Sequence, residues 1–329
     1  MFNWSKQVIL LTGGTGSFGQ AFTKTVLKLH PPKSLRIYSR DEYKQFEMEK
    51  IISHPHVRYL IGDVRDKDRL QRAMDGVTLV IHAAAMKQIE ACEYNPTEAI
   101  KTNINGSMNV IETALNANVE KVMGIITDKA VSPVNLYGAT KLCMEKLMIQ
   151  GNVYTGKNKT TISCVRYGNV AGSRGSVIPV FIKQKENGKF TVTHKDMTRF
   201  WITLEEAVAF VISSIEKMKG GEVFIPKMPS FKIIDLVKAI DSKVKIQYIG
   251  VRSGEKIHED LVSQHESRNI AEFKNYYILS PDFEFWNDNK KTNNNGNNKV
   301  IVNFSYNSGN NKFFLTVKQL EKQISNLLV

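Results

Sequence analysis

The sequence predicts an α/β fold: a doubly wound parallel sheet with helices on both faces, followed by a smaller α/β lobe. Three observations carry the prediction. Short apolar runs alternate with helical patterns through the first half of the chain. A glycine-rich loop joins the first apolar run to the first helical pattern. After Arg166 the alternation gives way to a polar, glycine-rich stretch and shorter elements.

The elements follow in order. Gln7 to Leu11 is an apolar run suited to a central parallel strand. The loop Thr12-Gly13-Gly14-Thr15-Gly16-Ser17-Phe18-Gly19 comes next, then helical patterning from Ala21 to Leu29. Gly13, Gly16 and Gly19 have GxxGxxG spacing, and Gly14 completes GxGxxG with Gly16 and Gly19. Such a turn lets backbone approach a pyrophosphate and offers free N–H groups at a helix start, the pattern of a Rossmann-type dinucleotide site. Leu35 to Arg40 reads as the second strand, and its end should meet the adenosine ribose. Ser39 and Arg40, with Lys44 a turn further on, suit a 2′-phosphate and so NADP. Asp41 and Glu42 lie close enough to keep an NAD-type acidic contact open.

Val57 to Ile61 is a third strand ending in Gly62-Asp63-Val64, where Asp63 is placed to accept from an adenine amine. A short helix, Asp66 to Gly76, leads to a fourth strand, Thr78 to Ile81. The small residues after it, Ala83 to Ala85, let a cofactor lie against the backbone. Lys87 stands just beyond, either a ligand above the strand ends or a solvated loop lysine. Asn95 to Asn118 reads as one long helix with Asn103, Asn105 and Gly106 inside it, residue types that point to a local function or close packing. Val122 to Ile126, a helix from Leu136 to about Tyr154, and Thr161 to Arg166 complete six alternating units.

Thr127-Asp128-Lys129-Ala130 ends the fifth strand, and Tyr137 and Lys141 follow at helical spacing. Four residues apart, a phenol and an ammonium share one helical face, and a neighbouring cation favours the phenolate. Asp128 and Lys129 add a carboxyl and an amine to that pair. Beyond Arg166, helices are expected over Leu204 to Met218, Ile233 to Ile240 and Phe314 to Leu328, and strands over Glu222 to Ile225 and Val244 to Ile249. The asparagine-rich tract 287–298 reads as a surface loop of compositional origin. The reading divides the chain at 166/167, with the second part crossing back to the first.

Composition sets the outer bounds. The chain has 329 residues and is 42% hydrophobic, enough for a sizeable core. Its formal charge of +13 is spread without a basic block, which argues against a nucleic-acid tail. The excess fits a solvated surface or a face toward anionic ligands. Cys92, Cys143 and Cys164 form no CxxC and indicate neither a disulfide framework nor a metal site. MFNWSKQVILLTGG shows no basic n-region, cleavage site or membrane-length run, so the expectation is a soluble cytoplasmic protein.

With TGGTGSFG, AAA, TDKA and YGATK in that order, the chain resembles an extended short-chain dehydrogenase/reductase. It is most similar to the inverting UDP-N-acetylglucosamine 4,6-dehydratases that begin pseudaminic acid synthesis. The segments 166–179, 197–203 and 250–259 resemble that group's nucleotide-sugar segments. The resemblance implies that Thr15 to Phe18, Ser39, Arg40, Lys44, Asp63, Val64 and Ala83 hold NADP, with Tyr137 and Lys141 at the nicotinamide. It places Lys87, Asn169, Arg199, Arg252 and Glu255 on the UDP-sugar, and Thr127, Asp128 and Lys129 beside the Tyr–Lys pair in catalysis. It also implies a homo-oligomer built on dimers, up to hexamers. Two other classes share the fold: a UDP-sugar 4-epimerase, with the same cofactor but no water lost, and a non-catalytic nucleotide sensor.

Overall fold

The computed structural model describes residues 2–156, 160–173, 176–186, 188–243, 245–281 and 303–328. The tract 287–298 lies outside them. In the first half, strands β1 (Val8–Thr12), β2 (Ser34–Ser39), β3 (Val57–Ile61), β4 (Leu79–His82), β5 (Lys121–Thr127) and β6 (Thr161–Tyr167) alternate with helices. The helices are α1 (Ser17–Leu29), α2 (Glu42–Ile51), α3 (Lys67–Met74), α4 (Ile89–Tyr94), α5 (Pro96–Ile100), α6 (Gly106–Asn116) and α7 (Leu136–Gln150). Asp41 and Asp66 cap α2 and α3 by accepting from Lys44 N and Arg69 N, which explains where those helices start.

The long helix expected over Asn95 to Asn118 is there, but Lys101–Asn105 is wound as a π-turn between α5 and α6. Asn103 is fully buried at this turn and bonds outward to the backbone of Met86 and to Thr140 Oγ1. Gly106 packs where a Cβ would stand 2.7 Å from Val64 Cγ2. The polar and glycine residues inside the helix thus serve close packing around the site. The expected helix through Tyr154 gives way at Gly151 to a 3-10 turn.

After β6 come α8 (Val177–Glu186), β7 (Lys189–Val192), β8 (Thr198–Phe200), α9 (Leu204–Lys217), β9 (Val223–Pro226), β10 (Ser230–Lys232), α10 (Ile233–Ile240) and β11 (Lys245–Tyr248). The last elements are β12 (Asp260–Val262), β13 (Ile270–Glu272), β14 (Tyr276–Leu279), β15 (Tyr306–Asn307) and α11 (Val317–Leu328). One nine-stranded sheet runs β13-β14-β9-β6-β5-β4-β1-β2-β3. From β9 to β3 its neighbours are parallel; β14 and β13 add an antiparallel edge. The order reverses between β1 and β4, the switch point above which ligands of such sheets bind.

The chain therefore crosses back: β9, β13 and β14 extend the first sheet, and α9 packs on α1. A separate core holds the remaining elements together, with Phe181, Phe190, Trp201, Phe231, Leu236 and Leu320 buried in it. The site lies between these two cores.

Candidate active site

The cleft above the switch point has a volume of about 1190 Å³ and is walled by both lobes. At its floor β1 ends in Thr12 and α1 starts at Ser17. Gly13 takes φ +68°, and a Cβ there would stand 2.8 Å from the backbone of Ala84. Only glycine fits both conditions. Gly13, Thr15, Gly16, Ser17, Phe18 and Gly19 all face the cleft, with Ala83 opposite. This is a cradle for a pyrophosphate at a helix start, and its residues fit a dinucleotide.

At the ribose end, Ser39, Arg40, Lys44, Asp63 and Val64 line the same cleft. Both basic groups face acids: Arg40 Nη1 is 3.7 Å from Asp63 Oδ2, and Lys44 Nζ 2.6 Å from Asp41 Oδ2. Burial alone would raise the Asp63 carboxyl, but hydrogen bonds from Arg65, with Arg40 nearby, hold it below the ordinary carboxylate range. A 2′-phosphate would therefore compete with Asp63 and Asp41 for these cations.

The corner expected to be catalytic forms where β5 ends. Asp128–Ala130 is a single 3-10 turn, and Asn135 caps α7 by accepting from Gly138 N at 2.7 Å. Thr127, Lys129, Tyr137 and Lys141 reach the cleft; Asp128 is fully buried beside them, its Oδ2 3.2 Å from where a Cβ would stand on the cleft-lining Gly168. Asp128 Oδ1 accepts from Thr127 Oγ1 at 2.8 Å and from Lys129 Nζ at 3.0 Å. Its Oδ2 is buried with no hydrogen-bond partner among the described residues.

Two details differ from the pattern at the sequence level. Burial pushes the Tyr137 phenol up to about 12, and the cation that opposes the rise is Lys129, with a hydrogen bond to Thr127 acting the same way. Lys141, expected to serve that purpose, instead donates to Ile125 O at 2.7 Å and lies against Met144 Sδ. Burial lowers Lys141 to about 8. The balance at Lys129, which sequence leaves undecided, is tipped upward by its neighbours. Burial lowers its pKa, yet Asp128 and Glu259 outweigh that and hold it above the ordinary lysine range.

The second lobe supplies the remaining wall. Lys87, Asn169, Arg199, Arg252 and Glu255 all line the cleft. Arg199 is held by the carbonyls of Thr198 and Ile257 at 2.7 and 3.1 Å. Arg252 Nη1 stands 3.8 Å from Glu255 Oε1, while Glu255 Oε2 is buried without a hydrogen-bond partner among the described residues.

The family model of polysaccharide biosynthesis proteins matches residues 9–281. A curated relative from Campylobacter jejuni, UDP-N-acetylglucosamine 4,6-dehydratase (inverting), is 49% identical over 97% of each chain. The chain belongs to this family. A UDP-glucose 4-epimerase from Rickettsia conorii is 43% identical over 84% of this chain and 83% of its own. The X-ray structure of Pen from Bacillus thuringiensis superposes with a TM-score of 0.89 at 39% identity, covering 99% of this chain and 98% of that one.

For this member of the family, the structure brings every expected site residue except Asp128 to one cleft. Sequence reasoning missed Glu259. It ends the 250–259 segment, is 3% exposed, and faces Lys129 Nζ at 3.3 Å and Arg199 Nε at 3.7 Å. No spacing rule links it to Lys129, because the contact is made only by folding the second lobe over the first. Among the described residues no His/Cys/Asp/Glu cluster could hold a metal ion, and no helix is long and apolar enough to cross a membrane.

Proposed function

We propose that the protein catalyses NADP-dependent loss of water from UDP-N-acetylglucosamine with inversion at C5. The product is UDP-2-acetamido-2,6-dideoxy-β-L-arabino-hex-4-ulose, serving pseudaminic acid or a related surface glycan, and the working unit is a homo-oligomer. The observation that carries the reading is the Asp128–Lys129 turn on the same wall as Tyr137. An epimerase needs a base for the 4-hydroxyl but has no leaving group to protonate. A dehydratase needs both.

The chemistry supplied by a bound nicotinamide is a reversible hydride exchange, outward from C4 and back to C6. The protein does the rest. Tyr137 takes the proton of the 4-hydroxyl, and the 4-keto group then acidifies the hydrogen on C5. Lys129 governs that proton. Asp128 donates to the hydroxyl leaving C6, because hydroxide is a poor leaving group without a proton. Lys87, Arg199 and Arg252 balance the diphosphate, and Asn169 and Glu255 fix the rest of the nucleotide sugar.

Incubation of the purified protein with NADP and UDP-N-acetylglucosamine tests the reading. The expected product has lost the mass of one water, and NMR of the fresh product shows inverted C5. In deuterium oxide, C5 takes up deuterium. The Rickettsia relative favours a second reading, 4-epimerisation. Under it the mass is unchanged and the C4 epimer accumulates, an outcome that rejects the dehydration reading.

A further inference from the structure

Three oxygens surround Lys129 Nζ: Asp128 Oδ1 at 3.0 Å, Asn169 Oδ1 at 3.2 Å and Glu259 Oε1 at 3.3 Å. An ammonium has three donors and no lone pair, so this shell matches the charged form. A lysine so engaged has no electron pair with which to accept the C5 proton. It must first pass a proton to a neighbour.

Glu259 is built to receive it. Its backbone is pinned on both sides, its N–H donating to Ser308 Oγ at 2.9 Å and its carbonyl accepting from Ser308 N at 2.8 Å. Its side chain is on the cleft wall and 3% exposed. Oε1 faces Lys129, and Oε2 is buried with no hydrogen-bond partner among the described residues. Buried oxygens are ordinarily partnered, so one left over on the cleft wall is a position for a proton or a substrate hydroxyl.

We propose that Glu259 is the proton-holding partner of Lys129, taking the ammonium proton so that Lys129 meets C5 as a free amine. The proposal rests on the dehydration reading above. In the first step the N–H bond of Lys129 breaks, the proton binds Glu259, and ammonium plus carboxylate become amine plus carboxylic acid. The amine then takes the C5 proton and passes it to the Asp128 carboxylate, which donates it to the hydroxide leaving C6, released as water. Glu259 returns its proton to Lys129, and the three groups are reset. The proton that Tyr137 took from the 4-hydroxyl remains for C5, so the step needs no outside acid or base.

Exchange of a buried ion pair for a neutral pair removes two charges from a poorly solvated site, and substrate covering the cleft favours it further. The groups facing Lys129 are Asp128 from its own turn, Glu259, Arg199 from β8, Tyr137 from α7 and the neutral Asn169. Arg199 Nε stands 3.7 Å from Glu259 Oε1. Glu259 acts through Lys129 and is a positioning residue.

Glu259→Gln keeps the shape and removes the ability to hold a proton. Its unfolding midpoint should match wild type and its KM should stay within about threefold, while kcat falls about 10²–10³-fold. Oxidation at C4 precedes the blocked step, so a single turnover should accumulate reduced nicotinamide without water loss. Residual kcat should climb about tenfold per pH unit as Lys129 loses its proton to solvent. Glu259→Asp, which keeps a carboxylate, should recover most of the loss with a pH profile like wild type. Normal dehydration by Glu259→Gln overturns the proposal. So does equal loss of C4 oxidation and dehydration, or an Asp variant as slow as the Gln variant. Should Glu259→Gln fail to fold, the Asp variant decides on rate and pH profile. Wild type that epimerises without losing water overturns the dehydration reading itself, and that shows before any variant is made.

Discussion

The cleft contains two lysines, Lys129 half-buried and Lys141 buried, in surroundings of opposite character. Lys129 sits between two carboxylates and an amide oxygen. Lys141 sits under the strands with a carbonyl and a methionine sulfur for partners. Burial pulls both pKa values down; only Lys129 has enough facing negative charge to reverse the effect. The same residue type thus holds its proton more tightly than an ordinary lysine in one corner and more loosely in the other. The difference teaches that facing charge, more than burial, sets how readily each lysine loses its proton to solvent.

The largest expected effect comes from removing the cationic corner. Lys129→Ala should abolish dehydration while NADP still binds by calorimetry, and Asp128→Asn should lose about 10²–10⁴ in rate with fold and cofactor binding intact. Near-normal turnover by the Asn variant would return Asp128 to a structural role.

The two lysines should also diverge in stability. Lys129→Met leaves Asp128 and Glu259 without their shared cation and should destabilise by about 3–5 kcal/mol in denaturant titrations. Lys141→Met removes an ammonium held at a disadvantage and should stabilise by about 1–3 kcal/mol at neutral pH, less the lost bond to Ile125 O. The sign follows from linkage. Between about 8 and the ordinary lysine value of 10.5, the unfolded chain holds the Lys141 proton and the native state does not. Stability should therefore rise with pH across that window in wild type, and this rise should be absent in Lys141→Met. The Lys129 contribution is fully present below the ordinary lysine value and is lost as pH rises above it through the raised folded pKa. Equal losses in both variants would break the comparison.

A smaller effect tests the ribose end. One charge-assisted contact to phosphate contributes roughly 1.5–3 kcal/mol, so Arg40→Ala should narrow the preference for NADP over NAD about tenfold or more. Equal binding of both cofactors to wild type would remove the assignment.

The smallest effect belongs to the Lys141 side. His82 is fully buried between Thr12 Oγ1 and Ser107 Oγ, and burial, aided by Lys141, lowers it to about 3. Below the ordinary histidine value the unfolded chain takes a proton that the native state refuses, so stability falls with pH. Between pH 7 and pH 5 this should remove about 1–2 kcal/mol relative to a His82→Gln variant. Identical acid sensitivity of the two proteins would show that His82 is not kept neutral.

Local chemistry made much of this legible. The glycine loop, the helical placement of Tyr137 and Lys141 and the Thr127-Asp128-Lys129 turn lie where the sequence put them, because each is set by residues close together in the chain. The π-turn at Lys101–Asn105 escaped, since it is held by Asn103 bonding across to Met86 and Thr140. So did α4, and the antiparallel edge β13–β14, whose short strands carry weak periodicity.

By itself the sequence determined the parallel sheet, the dinucleotide loop and the residues available for catalysis, because hydrophobic period and glycine spacing act over a few residues. Only the tertiary structure decided which charges those residues carry. Asp128 was fully buried, Lys141 was turned to a carbonyl, and Glu259 was brought from the second lobe to Lys129. The physical reason is that a protonation state depends on the full set of charges and dipoles within a few ångströms, and folding assembles that set from distant parts of the chain.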